Sequence, residues 1–407
     1  MKEISGGVCA PRGFKAGGIW CGIKPNSKKR DLALIYSEKS CTAAAMFTTN
    51  RVKAASVIVS QDHIGRGKLH AIIANSGNAN ACTGEAGLAS ARRMAELAAD
   101  EFAVKAKDVA VASTGVIGVP LPIAAIENSI GALANSLRGD EAGHAAALEA
   151  IMTTDTRRKE VSVEVTIGGV PVRIGGMIKG SGMIHPNMAT MLCFLTTDAA
   201  ISRDLLEASL RRATERSLNR VSIDGDTSTN DAVIILANGE SGVSRIETES
   251  AEYGIFAGAL EACCVKLARE MARDGEGATK LVTVTVNGAS DEKTAEKLAK
   301  SIAASSLVKA ACCGADANWG RILCAMGYSG AEFDPDQTGI RFRSPAGEIA
   351  VCKAGQPLGF SEETAKKILL EDEIEILVDT GTGAGCAAVW GCDLTCDYVK
   401  INGDYRS

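Results

Sequence analysis

The chain has 407 residues, 46% of them hydrophobic and 23% charged, and a formal net charge of −5. That length calls for one large unit plus a smaller one, or two comparable ones, with ample apolar content for packed cores. The mild acidity, without a basic run, gives no electrostatic case for a nucleic-acid partner, and no run of about 18 apolar residues argues for a membrane span.

Residues 1–30 are punctuated by Gly6-Gly7, Pro11, Gly13, Gly17-Gly18 and Pro25, a turn-rich start that can pair as edge strands. Strands are predicted over 31–36, 55–60 and 70–74, followed by a polar loop over 75–81 and a helix over 84–102. A short strand over 109–112 exits through Ser113-Thr-Gly-Val-Ile-Gly118, and helices follow over 122–137 and 140–152. Alternation over 161–166 and 170–174 around Gly168-Gly169 predicts a hairpin. Downstream, strands are predicted over 191–196, 231–237 and 281–286, and helices over 202–216, 251–272 and 291–305. Further strands are placed near 339–343, 349–352, 373–377 and 386–388. Strands and helices alternate only loosely and hairpins are common. This favours an α/β (α+β) chain with mixed sheets and outer helices, not a doubly wound parallel fold.

The fourteen cysteines include no Cys-x-x-Cys pair, and only Cys392 and Cys396 approach ligand spacing, with no histidine nearby. Asp224-Gly-Asp226 lacks the trailing glutamate of a calcium loop, so no metal is expected. Met1-Lys-Glu-Ile-Ser-Gly-Gly has no apolar run of the signal-peptide kind. The cysteines are therefore read as reduced core thiols of a cytoplasmic protein.

Chemistry concentrates in Lys179-Gly-Ser-Gly-Met-Ile-His-Pro-Asn-Met-Ala-Thr190, which runs into the apolar Met191-Leu-Cys-Phe-Leu-Thr196. A hydroxyl at the mouth of a buried strand can attack the carbonyl before it, so that hydrolysis of the ester leaves an N-terminal threonine. Such a residue carries nucleophile and base together, because its α-amine takes the hydroxyl proton. The plainer reading of Thr190 is a strand residue of ordinary β-propensity. Thr114 and Gly115 offer a hydroxyl and a closely approaching amide for an oxyanion, or else form an ordinary turn. Lys179 suits a substrate carboxylate, or is a solvated lysine. Glu276, between two glycines, suits a substrate amine, or is a helix-terminal loop residue. The sequence around it is not a phosphate loop. His185 is read as a structural hydrogen-bonding residue ahead of a catalytic base.

The 179–192 stretch closely resembles the self-processing site of the ornithine acetyltransferase (ArgJ, glutamate N-acetyltransferase) family. So do Ala112-Ser-Thr-Gly-Val-Ile-Gly118, Thr153-Thr-Asp-Thr156, Asp224 to Asp231, Arg273 to Lys280 and Asn402 to Ser407, in family order along nearly the whole chain. The resemblance implies a layered α/β/β/α core plus a smaller α/β unit, placed within 280–380. It implies cleavage between Ala189 and Thr190, giving an α fragment, 1–189, and a β fragment, 190–407, with two of each assembled together. Thr190 is then the nucleophile, Thr114 and Gly115 the oxyanion pair, and Thr153, Lys179, Thr190, Glu276, Asn402 and Ser407 the substrate-binding set. Gly403 and Ser407 depart from the family's usual ending, and Ser407 keeps a hydroxyl there. The implied reaction moves acetyl from N2-acetyl-L-ornithine to L-glutamate through acetyl-Thr190, in arginine biosynthesis. It needs no cofactor, although some members also accept acetyl-CoA as co-substrate. The alternatives are an N-terminal-nucleophile peptidase or amidase, and a self-cleaving amino-acid-binding protein without turnover.

Overall fold

A computed structural model describes residues 1–24, 27–185 and 191–403. The chain divides into two compact units. One comprises Met1–Gly180, Asn187–Leu218 and Thr227–Leu267; the other comprises Ser181–Pro186, Asn219–Asp226 and Ala268–Ser407.

In the first unit, nine strands among the described residues form one mixed sheet. They are β1 (Lys2–Glu3), β2 (Phe14–Ile19), β3 (Leu32–Phe47), β4 (Lys68–Asn78), β5 (Val109–Val116), β6 (Lys159–Ile167), β7 (Val170–Lys179), β8 (Leu192–Thr197) and β10 (Ala232–Ala237). The order is β1-β6-β7-β8-β10-β3-β4-β5, with β2 paired to β3. The short β9 (Val221–Ser222) belongs to the second unit's sheet. Central strands read as unbroken apolar runs because both faces are covered. Leu32, Leu34, Ile73 and Val111 pack under helices α1 (Ala55–Ile64), α2 (Gly84–Glu101), α3 (Ile123–Glu127) and α4 (Ile130–Asn135). Ala33, Ile35, Ile72 and Ala112 face the other way, with Leu148 and Ile151 of α5 (Glu141–Ile151). Asp140 caps α5 by accepting from the Gly143 amide at 3.0 Å. The remaining helix of this unit before residue 250 is α6 (Arg203–Arg216), and α7 (Ala251–Arg273) follows it.

Five expectations need correction, and two concern strand ends: β4 runs through 75–78 of the predicted polar loop, and β5 runs through 113–116 of the predicted exit loop. The strand predicted over 55–60 is helix α1, despite its β-branched residues. Ser60 Oγ donates to Val111 O at 2.6 Å and accepts from Val111 N at 2.7 Å, and the His63 ring bonds Val109 O at 2.7 Å. Those contacts satisfy the outer edge of β5, and tertiary demand overrides propensity. The helix predicted over 122–137 is two short ones, α3 and α4, because Asn128-Ser129 interrupts it with weak helix formers. The strand predicted over 31–36 runs on to Phe47, through a register shift between Tyr36 and Cys41 that exposed Glu38-Lys39-Ser40 conceal in the sequence.

The second unit holds the other mixed sheet, ordered β14-β13-β12-β15-β11-β16-β9 among the described residues. Its strands are β11 (Leu281–Ala289), β12 (Gly339–Ser344), β13 (Gly347–Lys353), β14 (Gln356–Pro357), β15 (Glu373–Asp379) and β16 (Gly385–Cys392). Val282, Val284 and Val286 alternate inward against Leu298 and Ile302 of α8 (Glu292–Ala304). Asp291 caps α8 through the Thr294 amide at 2.7 Å. The unpredicted helices α9 (Ser306–Cys313), α10 (Trp319–Gly327), α11 (Glu362–Leu369) and α12 (Cys396–Gly403) are each nine residues or fewer, too short for a clear periodic signal. The mixed α/β class with two mixed sheets is as expected.

All fourteen cysteines are free, but they are not uniformly core residues. Cys82, Cys313, Cys324, Cys386 and Cys396 are exposed. Apolar neighbours in sequence do not bury a residue that points away from the core, as Cys313 does at the end of α9. No helix among the described residues is long and apolar enough to cross a membrane.

Candidate active site

In the first unit, β5 and β7 bring two of the anticipated residues together. Lys179 ends β7 and Thr114 lies near the end of β5; both are buried. Lys179 Nζ donates to Thr114 Oγ1 at 3.3 Å. An ammonium has only donors, so the threonine oxygen accepts and its own proton is left to point elsewhere. Gly115 follows at φ +133°, and a Cβ there would lie 2.4 Å from the Gly77 carbonyl carbon. Only glycine fits this backbone, where β5 crowds β4.

Asp155 organises the same region. Its side chain is fully buried and accepts from Lys159 Nζ at 2.5 Å, from the Gly180 amide at 2.7 Å and from the Thr153 amide at 2.9 Å. Burial alone would push this carboxyl up. Lys179, Lys159 and the hydrogen bonds outweigh burial and hold it well below the usual carboxylate range. Thr153 is thereby fixed beside the start of the Gly180 loop. Thr153 and Asp155 also line a cavity of about 700 Å³ with Lys24, Lys28, Lys29 and Arg30. Lys24 donates to Met152 O at 2.9 Å, and burial pulls its pKa down to about 8 against the opposing charge of Asp31.

Asp231, at the head of β10, is a second buried carboxyl. Oδ1 accepts from the Met191 amide at 3.1 Å, while Oδ2 has no hydrogen-bond partner among the described residues. Burial pushes its pKa up to about 8.

In the second unit, Glu276 and Asn402 meet. Asn402 Nδ2, on α12, donates to Glu276 Oε2 at 2.7 Å, and the Glu276 amide donates to Ser181 O at 2.8 Å. Glu276 is buried, and a Cβ on Gly182 would fall 2.3 Å from its Oε2. The carboxylate therefore packs directly on the glycine of the Gly180-Ser-Gly182 turn. Asp224 folds the rest of that turn by accepting from the Met183, Ile184 and Asp226 amides. His185 bonds Ser222 Oγ through Nδ1 at 3.1 Å, and burial, with Lys300, holds its pKa down. That bond is the structural role anticipated for it. Ala189, Thr190 and Ser407 lie outside the described residues.

Sequence reasoning missed Asp155 and Asp231. Both stood inside stretches already singled out, 153–156 and 224–231. A carboxylate between apolar strand residues and a Gly- or Thr-rich loop was the available signal.

A buried hydroxyl held by an ammonium, followed by a glycine that lets backbone approach, is equipment for acyl transfer. The chain belongs to the ArgJ family, whose model matches residues 15–407. It is 51% identical over 408 residues to the arginine biosynthesis bifunctional protein ArgJ of Symbiobacterium thermophilum, covering all of both chains. It is 46% identical to the chloroplastic ArgJ of Oryza sativa, covering all of this chain and 88% of that one. A crystal structure of the Bacillus halodurans ArgJ is 46% identical and superposes with a TM-score of 0.50, over 52% of this chain and 97% of that one.

Proposed function

We propose that the protein is a self-processing acetyltransferase that moves acetyl from N2-acetyl-L-ornithine to L-glutamate, yielding L-ornithine and N-acetyl-L-glutamate in arginine biosynthesis. The observation that carries this is the Lys179–Thr114 hydrogen bond beside Gly115, within a chain of the ArgJ family.

Maturation comes first. Thr190 Oγ attacks the Ala189 carbonyl carbon, the bond to the Thr190 nitrogen breaks, and the hydroxyl proton passes to that nitrogen. Water then hydrolyses the ester, leaving fragments 1–189 and 190–407 and a Thr190 with free hydroxyl and amine. An α-amine of pKa roughly 7.7–8.0 is poised to act as base. In turnover, Thr190 Oγ attacks the acetyl carbonyl and its proton goes through the α-amine to the departing ornithine. The glutamate α-amine then attacks acetyl-Thr190, and the proton returns to Oγ. In each step Thr114 Oγ1–H and the Gly115 N–H donate to the oxyanion, with Lys179 keeping the threonine oxygen in its accepting role. Lys179 and Thr153 serve the substrate carboxylate, while Glu276 and Asn402 serve the amine, with Ser407 adding a hydroxyl. Nothing in this cycle requires a cofactor. Acetyl-CoA is a candidate second donor, two α and two β fragments assemble, and the enzyme works in the cytoplasm.

Acetylornithine and glutamate incubated with the protein and followed by mass spectrometry test the reading. Transfer of acetyl to glutamate, with parallel double-reciprocal plots, is expected. Free acetate instead of acetylglutamate identifies an amidase, and binding without turnover identifies a binding protein. Thr190→Ala should remain one chain and be inactive.

A further inference from the structure

The two amino acids of the transfer differ in sign at the end of the side chain. N2-acetyl-L-ornithine carries an ammonium there, and L-glutamate carries a carboxylate. A carboxylate such as Glu276, which suits the first, repels the second, so the acceptor needs a cation of its own. Lys24, in the first unit, is held ready for that. Its loop winds around buried Asp31, which accepts from the Cys21 amide at 2.6 Å, the Gly22 amide at 3.2 Å and the Lys24 amide at 3.0 Å. The lysine stem lies on Gly77, where an added Cβ would fall 2.7 Å from Lys24 Cγ. Lys24 Nζ donates to Met152 O at 2.9 Å and to Arg30 O at 3.1 Å. An ammonium has three protons to donate. The third has no partner among the described residues, and Lys24 lines the cavity of about 700 Å³ that Thr153 also lines. The carboxylates of that cavity are already taken, Glu149 by Arg30 and Arg158, and Asp155 by Lys159. Lys28 and Lys29 stand exposed on its wall. Lys179 is near enough for its charge to oppose that of Lys24, so an anion set against both relieves a repulsion.

We propose that Lys24 binds the side-chain carboxylate of the acceptor and so selects L-glutamate over amino acids that lack a second acidic group. This rests on the acetyl-transfer reading given above. Lys179 and Thr153 keep the α-carboxylate, and the second carboxylate accepts the unused proton of Lys24 in a charge-assisted hydrogen bond. With a pKa of about 8, Lys24 is mostly charged at pH 7. The donor has no such carboxylate, and its side-chain ammonium is repelled by Lys24. Lys24 therefore acts on the half-reaction that takes glutamate and not on the one that releases ornithine.

Two measurements on the full protein test this. One is acetyl transfer to glutamate and to glutamine. The other is exchange of isotope-labelled ornithine into acetylornithine, which runs on the donor half-reaction alone. Lys24→Met keeps most of the stem and removes the ammonium. It should raise KM for glutamate about 10–100-fold, the loss expected for one hydrogen bond to a charged group. Ornithine exchange should stay within about 3-fold of native, because the donor never meets that proton. The preference for glutamate over glutamine, as a ratio of kcat/KM, should fall by about the same 10–100-fold. An unchanged KM for glutamate overturns the proposal. So does ornithine exchange that falls as far as glutamate transfer, since Lys24 then serves the fold. The native protein supplies a check that needs no variant, because glutamine used as readily as glutamate also overturns it. Failure of the underlying reading looks different. A native protein that moves no acetyl to glutamate defeats the acetyl-transfer reading, whereas native transfer whose preference survives Lys24→Met defeats the role of Lys24 alone.

Discussion

Asp155 and Asp231 are both buried in the first unit, and they end in opposite states. Asp155 accepts from an ammonium and two amides and has Lys179 nearby, so it stays ionised far below its ordinary pKa. Asp231 has one amide partner in Met191 and a bare second oxygen, so burial prevails and its pKa rises to about 8. Desolvation is similar at the two positions. The charges of Lys179 and Lys159 beside Asp155, with the hydrogen bonds it accepts, decide the outcome, and with it the kind of work each can do. An ionised aspartate can anchor cations, whereas a neutral one accepts from an amide and keeps an O–H to donate.

The sharpest way to break the comparison is Asp155→Asn. It removes a buried carboxylate charge from beside Lys159, wholly buried, and Lys179, and should cost about 3–5 kcal/mol in urea unfolding. The same substitution at Asp231 should cost far less, and equal losses would mean that charge state does not distinguish the two. Next in size, Thr114→Ala should lower kcat about 10²–10³-fold with little change in KM, because the oxyanion exists mainly in the transition state. An unchanged kcat makes Thr114 a turn residue.

The pH dependence of stability tests the pair directly. Asp231 is protonated when folded and ionised when unfolded between about pH 4 and its folded pKa of about 8. The native state then binds the extra proton, and stability should fall across that window by at most about 1.4 kcal/mol per pH unit. Asp231→Asn should remove that slope. Asp155 has the opposite sign. Its folded pKa is depressed, so its contribution is full above about pH 4 and fades as acid protonates it. Asp155→Asn should therefore flatten the acid limb only. Smallest of all, deleting residues 402–407 removes the Asn402–Glu276 hydrogen bond and should raise KM for both substrates about 5–10-fold, while processing proceeds. A truncated enzyme with native KM takes the tail out of the substrate site.

Much of the fold was legible because burial writes itself locally. The alternation in 281–286 and the apolar runs of β4 and β10 depend on neighbours that any strand would have. Residues 55–60 were not legible as helix, since what makes α1 a helix is Ser60 and His63 reaching a strand about fifty residues away. The site divides the same way. Thr114, Gly115, Lys179 and Glu276 were singled out through motif resemblance and their glycine-punctuated settings. Asp155 was not, because its importance lies in Gly180 and Lys179, some twenty-five residues on. Asp231 gains its role from an amide forty residues before it. An aspartate in a polar loop looks the same whether it faces water or a buried N–H.

The outer edge of β5 has one more consequence. Val109 O is taken by His63, Val111 N and O by Ser60, and Ser113 O by Asn230. An edge strand ordinarily offers such groups to any extended peptide that arrives, including another copy of the chain during synthesis. Here three side chains occupy these four groups, so an incoming strand finds them already taken. Replacing Ser60 with alanine would leave Val111 N and O unpaired in the middle of this border, lowering folded stability and making the variant more prone to aggregate on refolding.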